Sequence, residues 1–179
     1  MNNGSIDSKT AGIVYTALTT CLVLLGTVLF RIPVPMTQGY VHLGDAMIFL
    51  GILMLGKKRG AAAAGLGSAM ADVLGGFAFW APWTLVIKSL MAFVTGLILE
   101  RTARSHKHNG MKDRLIKLAA MAAGGIFMCA GYFLAERVMY GSFALAVLGL
   151  PWNIGQVIVG MVLSMVICSA TEVSTRHKF

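Results

Sequence analysis

From Ala11 to Phe30 the chain runs without a single charge. About 20 such residues are what a helix rising about 1.5 Å per residue needs to cross a bilayer core about 30 Å thick. Further apolar runs cover approximately 61–77, 82–100, 115–138 and 151–171, with a shorter one over 42–56. Charged residues make up 12% of the 179, and 57% are hydrophobic. A soluble domain carries about 25% charged residues. The expected fold is therefore an all-α integral membrane bundle, one domain of six transmembrane helices over residues 1–179. The first run is too long for the apolar core of a signal peptide, and no small-x-small cleavage site follows it.

The net charge of +8 does not point to nucleic acid, because the bases gather in a few short loops. With six spans and both termini in the cytoplasm, every lysine and arginine except Arg31, Lys88 and Arg137 falls on the cytoplasmic side. The three cysteines, Cys21, Cys129 and Cys168, lie apart inside apolar runs. That pattern fits buried thiols rather than disulfides or zinc. His106 and His108, two apart in a basic loop, read as solvated rather than as metal ligands. No metal or cofactor is expected.

Two charges interrupt apolar runs at comparable depth: Asp72, a few residues before the aromatic turn Phe77–Trp83, and Lys88, a few residues after it. A charge within a spanning helix costs about 2.5–3.5 kcal/mol even on the mild insertion scale. The spacing predicts an Asp72–Lys88 pair across antiparallel neighbours, either as a structural ion pair or as part of a ligand pocket. Pro33 and Pro35 forbid a regular helix between the first two runs. The run after them is too short to span, so the loop is expected to dip into the membrane and cap a cavity. Its candidate lining residues are Gln38, Tyr40, His42 and Asp45. Trp80, Trp83, Asn153 and Gln156 fall at the same outer level. Aromatic faces with a few amides and an ion pair suit a small flat heterocycle.

Gly12, Thr16, Ala17, Thr20 and Cys21 give the first helix a small-residue face. Such a face lets another helix approach, either within this bundle or on a partner subunit. Catalytic motifs are missing: the chain has no Gly-x-Ser-x-Gly, His-Glu-x-x-His or Gly-Lys-Ser/Thr sequence. Three functions remain open on the residues alone. They are a binding subunit for uptake, a membrane enzyme acting on a lipid-soluble substrate, and a structural protein whose polar residues pack helices.

The runs His42-Leu-Gly-Asp-Ala-Met-Ile-Phe-Leu, Ala71-Asp-Val-Leu-Gly-Gly and Ala81-Pro-Trp-Thr-Leu-Val-Ile-Lys-Ser-Leu-Met, with Pro151-Trp-Asn-Ile-Gly-Gln, are similar to a known family. They resemble the substrate-binding S components of energy-coupling factor (ECF) transporters, in the hydroxymethylpyrimidine, pyridoxine and riboflavin-like branch. The resemblance implies a six-helix subunit of the bacterial plasma membrane that binds a vitamin or vitamin precursor. It also implies a transmembrane T component and two cytoplasmic ATPases as partners, with ATP hydrolysis confined to them. A hydroxymethylpyrimidine or vitamin B6 type ligand is favoured, with riboflavin or a cobalamin precursor as alternatives. The family's Ala-x-x-x-Ala contact with the T component corresponds here to Ala17-Leu-Thr-Thr-Cys21.

Overall fold

The computed structural model describes residues 8–33, 40–105 and 110–176. Gln38, His106 and His108, like the residues before Ser8, lie outside them. Helix α1 (Ser8–Leu29) leads into a small antiparallel hairpin of β1 (Arg31–Pro33) and β2 (Tyr40–His42). Then come α2 (Gly44–Leu74), α3 (Ala81–Ser105), α4 (Met111–Tyr140) and α5 (Phe143–Arg176). The hairpin pairs Arg31 with His42 and Pro33 with Tyr40. Where the prolines predict an irregular loop, the chain forms a short two-stranded ladder. Pro33 is accommodated because only three residues pair on each strand and, among the described residues, the ladder has no third strand.

Among the described residues five helices stand where six are expected. The second and third of those predicted are two limbs of α2, broken at Gly56, whose φ of 72° and ψ of −177° are not helical. A positive φ of this size is a conformation that glycine adopts without steric penalty. The limbs fold back on each other: a Cβ placed on Gly60 would stand 3.1 Å from the Cα of Ile52. In a straight helix those positions lie about 12 Å apart. The first limb, 44–55, is too short to cross a bilayer, as its sequence indicates.

Among the described residues four helices, α1, α3, α4 and α5, are long and apolar enough to span a membrane. Their surfaces are inverted relative to a soluble protein. Leu18, Leu22, Val86, Leu90, Ile126, Phe127, Val162 and Val166 all face outward. Inside, Phe49, Ile48, Ile52, Met91, Met121 and Met128 form the apolar core. Successive helices pack against one another, and α5 closes the bundle by returning to α2. Gly160 makes that return close, since a Cβ there would meet the Cβ of Asp45 at 2.8 Å.

Several boundaries move. α2 ends at Leu74 rather than near Phe77, and the turn to α3 runs through Gly76, which has a φ of 83°. Pro82 sits in the first turn of α3, where its missing N–H costs nothing. α5 begins eight residues before Pro151 and carries that proline inside it. The stretch just before Pro151, which falls between the apolar runs expected to span, is therefore the first two turns of a helix.

Candidate functional site

The polar side chains converge at the end of the bundle that carries the hairpin, and they do so in two layers. The deeper layer is a closed polar cluster. Lys88 of α3 places Nζ 2.5 Å from Oδ1 of Asp45, at the start of α2, and both side chains are fully buried. The ammonium also lies 2.9 Å from the sulfur of Met128 and 5.6 Å from the centroid of the Tyr132 ring. Gln156 of α5 donates from Nε2 to Oδ2 of Asp45 at 2.9 Å, and its Oε1 accepts the backbone N–H of His42 at 3.0 Å. One amide thus joins α5, α2 and the hairpin, and the two partners fix which way it points.

This cluster corrects the ion pair expected from the sequence. Lys88 bonds to Asp45, not to Asp72. Helix α2 folds back at Gly56, so its first residues come to the same level as its last. Two acids are then available to one lysine, and Asp45 is the one in contact. Its place in the first turn of α2 also puts its negative charge at the favourable end of the helix dipole.

Above the cluster lies a cavity lined by Tyr40, His42, Asp72, Trp80, Thr84, Tyr132, Glu136, Gly149, Trp152, Asn153 and Gln156. The volume open to the centre of a water molecule is about 40 Å³. That is room for about three waters at 10–15 Å³ each. The hydroxyl of Tyr40 donates a short hydrogen bond to Oδ1 of Asp72. Arg31 covers the Tyr40 ring, 4.7 Å from its centroid, and donates to the carbonyl of Ala71 at 2.7 Å. The hairpin is thereby fastened to the end of α2. Trp80 meets Tyr132 and Tyr140 edge-on, with centroids 6.0 and 6.2 Å away. Tyr132 and Thr84 approach through their hydroxyls at 3.3 Å.

Nδ1 of His42 accepts the N–H of Gly44 at 3.0 Å. An acceptor there carries no proton, so the ring is neutral with its hydrogen on Nε2. Burial, reinforced by the charge of Lys88, pushes the imidazole down to about 3. Tyr40, on the same strand, is raised by burial and by the adjacent Asp72 carboxylate, so it stays a hydrogen-bond donor.

Two carboxyl oxygens in this cavity are buried without a hydrogen-bond partner among the described residues: Oδ2 of Asp72 and Oε2 of Glu136. Leaving such a group unsatisfied costs about 1–3 kcal/mol, more if it is charged. Among described residues none donates to or pairs with Glu136.

The structure therefore sorts the sequence candidates. Tyr40, His42, Asp72, Trp80, Asn153 and Gln156 line one cavity. Asp45 and Lys88 lie beneath it with no exposed surface. Trp83 is not in the lining; it is 36% exposed on the outside of α3. Sequence reasoning missed Thr84, Tyr132, Glu136, Gly149 and Trp152 as lining residues. Tyr132 and Glu136 are four residues apart on α4, the spacing of one helix face.

The small-residue face of α1 divides. Gly12 is buried, with the Arg59 guanidinium where a side chain would stand. Thr16 and Thr20 are half-buried and bond back to the carbonyls of Gly12 and Thr16. Ala17 and Cys21 are exposed.

Residues 7–172 match the family model described as "ECF-type riboflavin transporter, S component". The chain belongs to this family. Over 173 residues, 96% of this chain and 92% of the relative, this S component is 31% identical to the thiamine precursor transporter HmpT of Lactococcus lactis subsp. cremoris (strain MG1363). It is 38% identical over 119 residues to a Pyrococcus woesei protein described as "Uncharacterized protein in gap 3'region". That match covers 66% of this chain and 74% of the relative. Membership in the S component family makes this a multi-pass protein of the cell membrane serving uptake of a vitamin or vitamin precursor. The family is one of transporter subunits, not of enzymes.

Proposed function

We propose that this S component binds a single-ring vitamin precursor of the hydroxymethylpyrimidine type in the cavity beneath the hairpin. The observation that carries this reading is the cavity itself: small, walled by Trp80, Tyr132 and Tyr40, and holding two carboxyls with uncommitted oxygens. One pyrimidine ring requires less expansion of a space of about 40 Å³ than a three-ring flavin does. The similarity to a thiamine precursor transporter over nearly the whole chain supports the same choice. The family description favours a flavin as the second reading.

The hairpin end faces outward and both termini face the cytoplasm in this reading, because that orientation keeps the basic turn Lys57-Lys58-Arg59 inside. Six passes result when the two limbs of α2 are counted separately with α1, α3, α4 and α5, the short first limb, 44–55, completing its pass together with the hairpin that precedes it. A transmembrane T component and two ATPase subunits supply the energy, and the exposed Ala17 and Cys21 of α1 contribute to docking.

Calorimetry on the detergent-purified protein with hydroxymethylpyrimidine, pyridoxine and riboflavin tests the ligand. Hydroxymethylpyrimidine is expected to bind below micromolar Kd, beyond about −8 kcal/mol. Tight riboflavin binding with none for the pyrimidine would overturn the proposal in favour of the flavin.

A further inference from the structure

We infer that Glu136 is the specificity-determining residue of the cavity, pairing through both carboxyl oxygens with an amino group and the adjacent ring nitrogen of an aminopyrimidine. The inference rests on the pyrimidine reading above and names the group that reads the ring's edge.

Glu136 sits on α4, buried to 6% exposure, and lines the cavity. The other acid in the lining is already engaged, since Oδ1 of Asp72 receives the Tyr40 hydroxyl. Glu136 receives nothing from the described residues. Its position is also shaped. The carboxyl rests against Gly149 of α5, where a Cβ would stand 2.3 Å from Oε2 and 2.6 Å from Oε1. Any side chain at 149 would occupy the seat of the carboxyl.

A buried carboxyl with two free oxygens is matched by an edge that offers two contacts in parallel. The N–C–N edge of an aminopyrimidine is such a group. The amino N–H donates to one oxygen, and the ring nitrogen shares a single proton with the other. The pair has no net charge wherever that proton resides, which suits a carboxyl buried with no cationic partner among the described residues. The aromatic ring of Tyr132, one helical turn earlier on α4, lines the same cavity beside it.

The test compares hydroxymethylpyrimidine with its analogue lacking the amino group, in calorimetry on wild type, Glu136→Leu and Glu136→Gln. Wild type is expected to prefer the amino compound at least tenfold. Glu136→Leu is expected to melt no lower than wild type and to bind both compounds about equally. Glu136→Gln is expected to keep most of the preference, because an amide presents an acceptor to the amino group and a donor to the ring nitrogen. A wild-type preference retained by Glu136→Leu would overturn the assignment and leave the pyrimidine reading intact. Loss of preference in Glu136→Gln equal to that in Glu136→Leu would overturn the shared-edge pairing. Failure of wild type to bind either compound would overturn both readings.

Discussion

The Nζ of Lys88 lies 2.5 Å from Oδ1 of Asp45, and neither side chain has any surface open to solvent. The contact ties the beginning of α2 to α3, while Gln156 ties the same carboxylate to α5. Three helices and the hairpin therefore share one buried charge pair. Desolvating two ions offsets much of their attraction, so the pair's net contribution is small. Its removal one partner at a time is another matter, because the remaining charge is stranded.

Lys88→Met is expected to destabilise the protein by about 3 kcal/mol, the low end for breaking a buried pair. Combining it with Asp45→Leu is expected to recover at least half of that loss. Denaturant titration of the protein in mild detergent provides the measurement. A single variant as stable as wild type would show that the pair does not hold these helices together.

Asp72 and Tyr40 face the cavity directly, so their variants are expected to act on binding. Asp72→Asn is expected to weaken hydroxymethylpyrimidine binding at least tenfold, about 1.4 kcal/mol. Tyr40→Phe removes the hydroxyl that donates to Oδ1 of Asp72. Its cost is expected to be about 1–3 kcal/mol in wild type and much smaller in the Asp72→Asn background. Calorimetry over the four proteins of the cycle would refute the coupling if the two effects simply add.

The two tryptophans flanking Pro82 should separate. Trp80 is buried in the lining against Tyr132 and Tyr140, whereas Trp83 lies on the outer face. Trp80→Ala is expected to lower ligand affinity at least tenfold and Trp83→Ala less than twofold. Ligand titration monitored calorimetrically decides this. Equal losses at both positions would place the binding site elsewhere.

On α1, Ala17 and Cys21 are exposed while Gly12 is filled by the Arg59 guanidinium. Ala17→Trp and Cys21→Trp are expected to abolish cellular uptake without changing ligand affinity of the purified chain. Gly12→Leu is expected to lower thermal stability, because a side chain there displaces Arg59. Uptake that survives both tryptophan variants would exclude this face from docking.

Much was legible in the residues. Long uncharged runs allow little but spanning helices, because backbone polar groups in lipid must be satisfied within the segment. The shortness of the 42–56 run was legible too, as was the gathering of Tyr40, His42, Asp72, Trp80, Asn153 and Gln156 at one level. Each follows from counting residues along helices of fixed rise.

What counting cannot supply is the lateral arrangement of helices. Gly56 reads as one glycine beside a basic turn, yet its positive φ folds α2 back and brings Asp45 level with Asp72. The choice of Asp45 as partner for Lys88 depends on that fold, and so does the release of Asp72 to Tyr40. Glu136 lies four residues before the end of α4. Only the early start of α5, which lays Gly149 against its carboxyl, turns it into the cavity. The sequence alone determined that charges are buried in a membrane bundle and at what depth, since depth depends on distance along one helix. The tertiary structure decided which charge meets which, since contact depends on how helices distant in the chain turn their faces to one another.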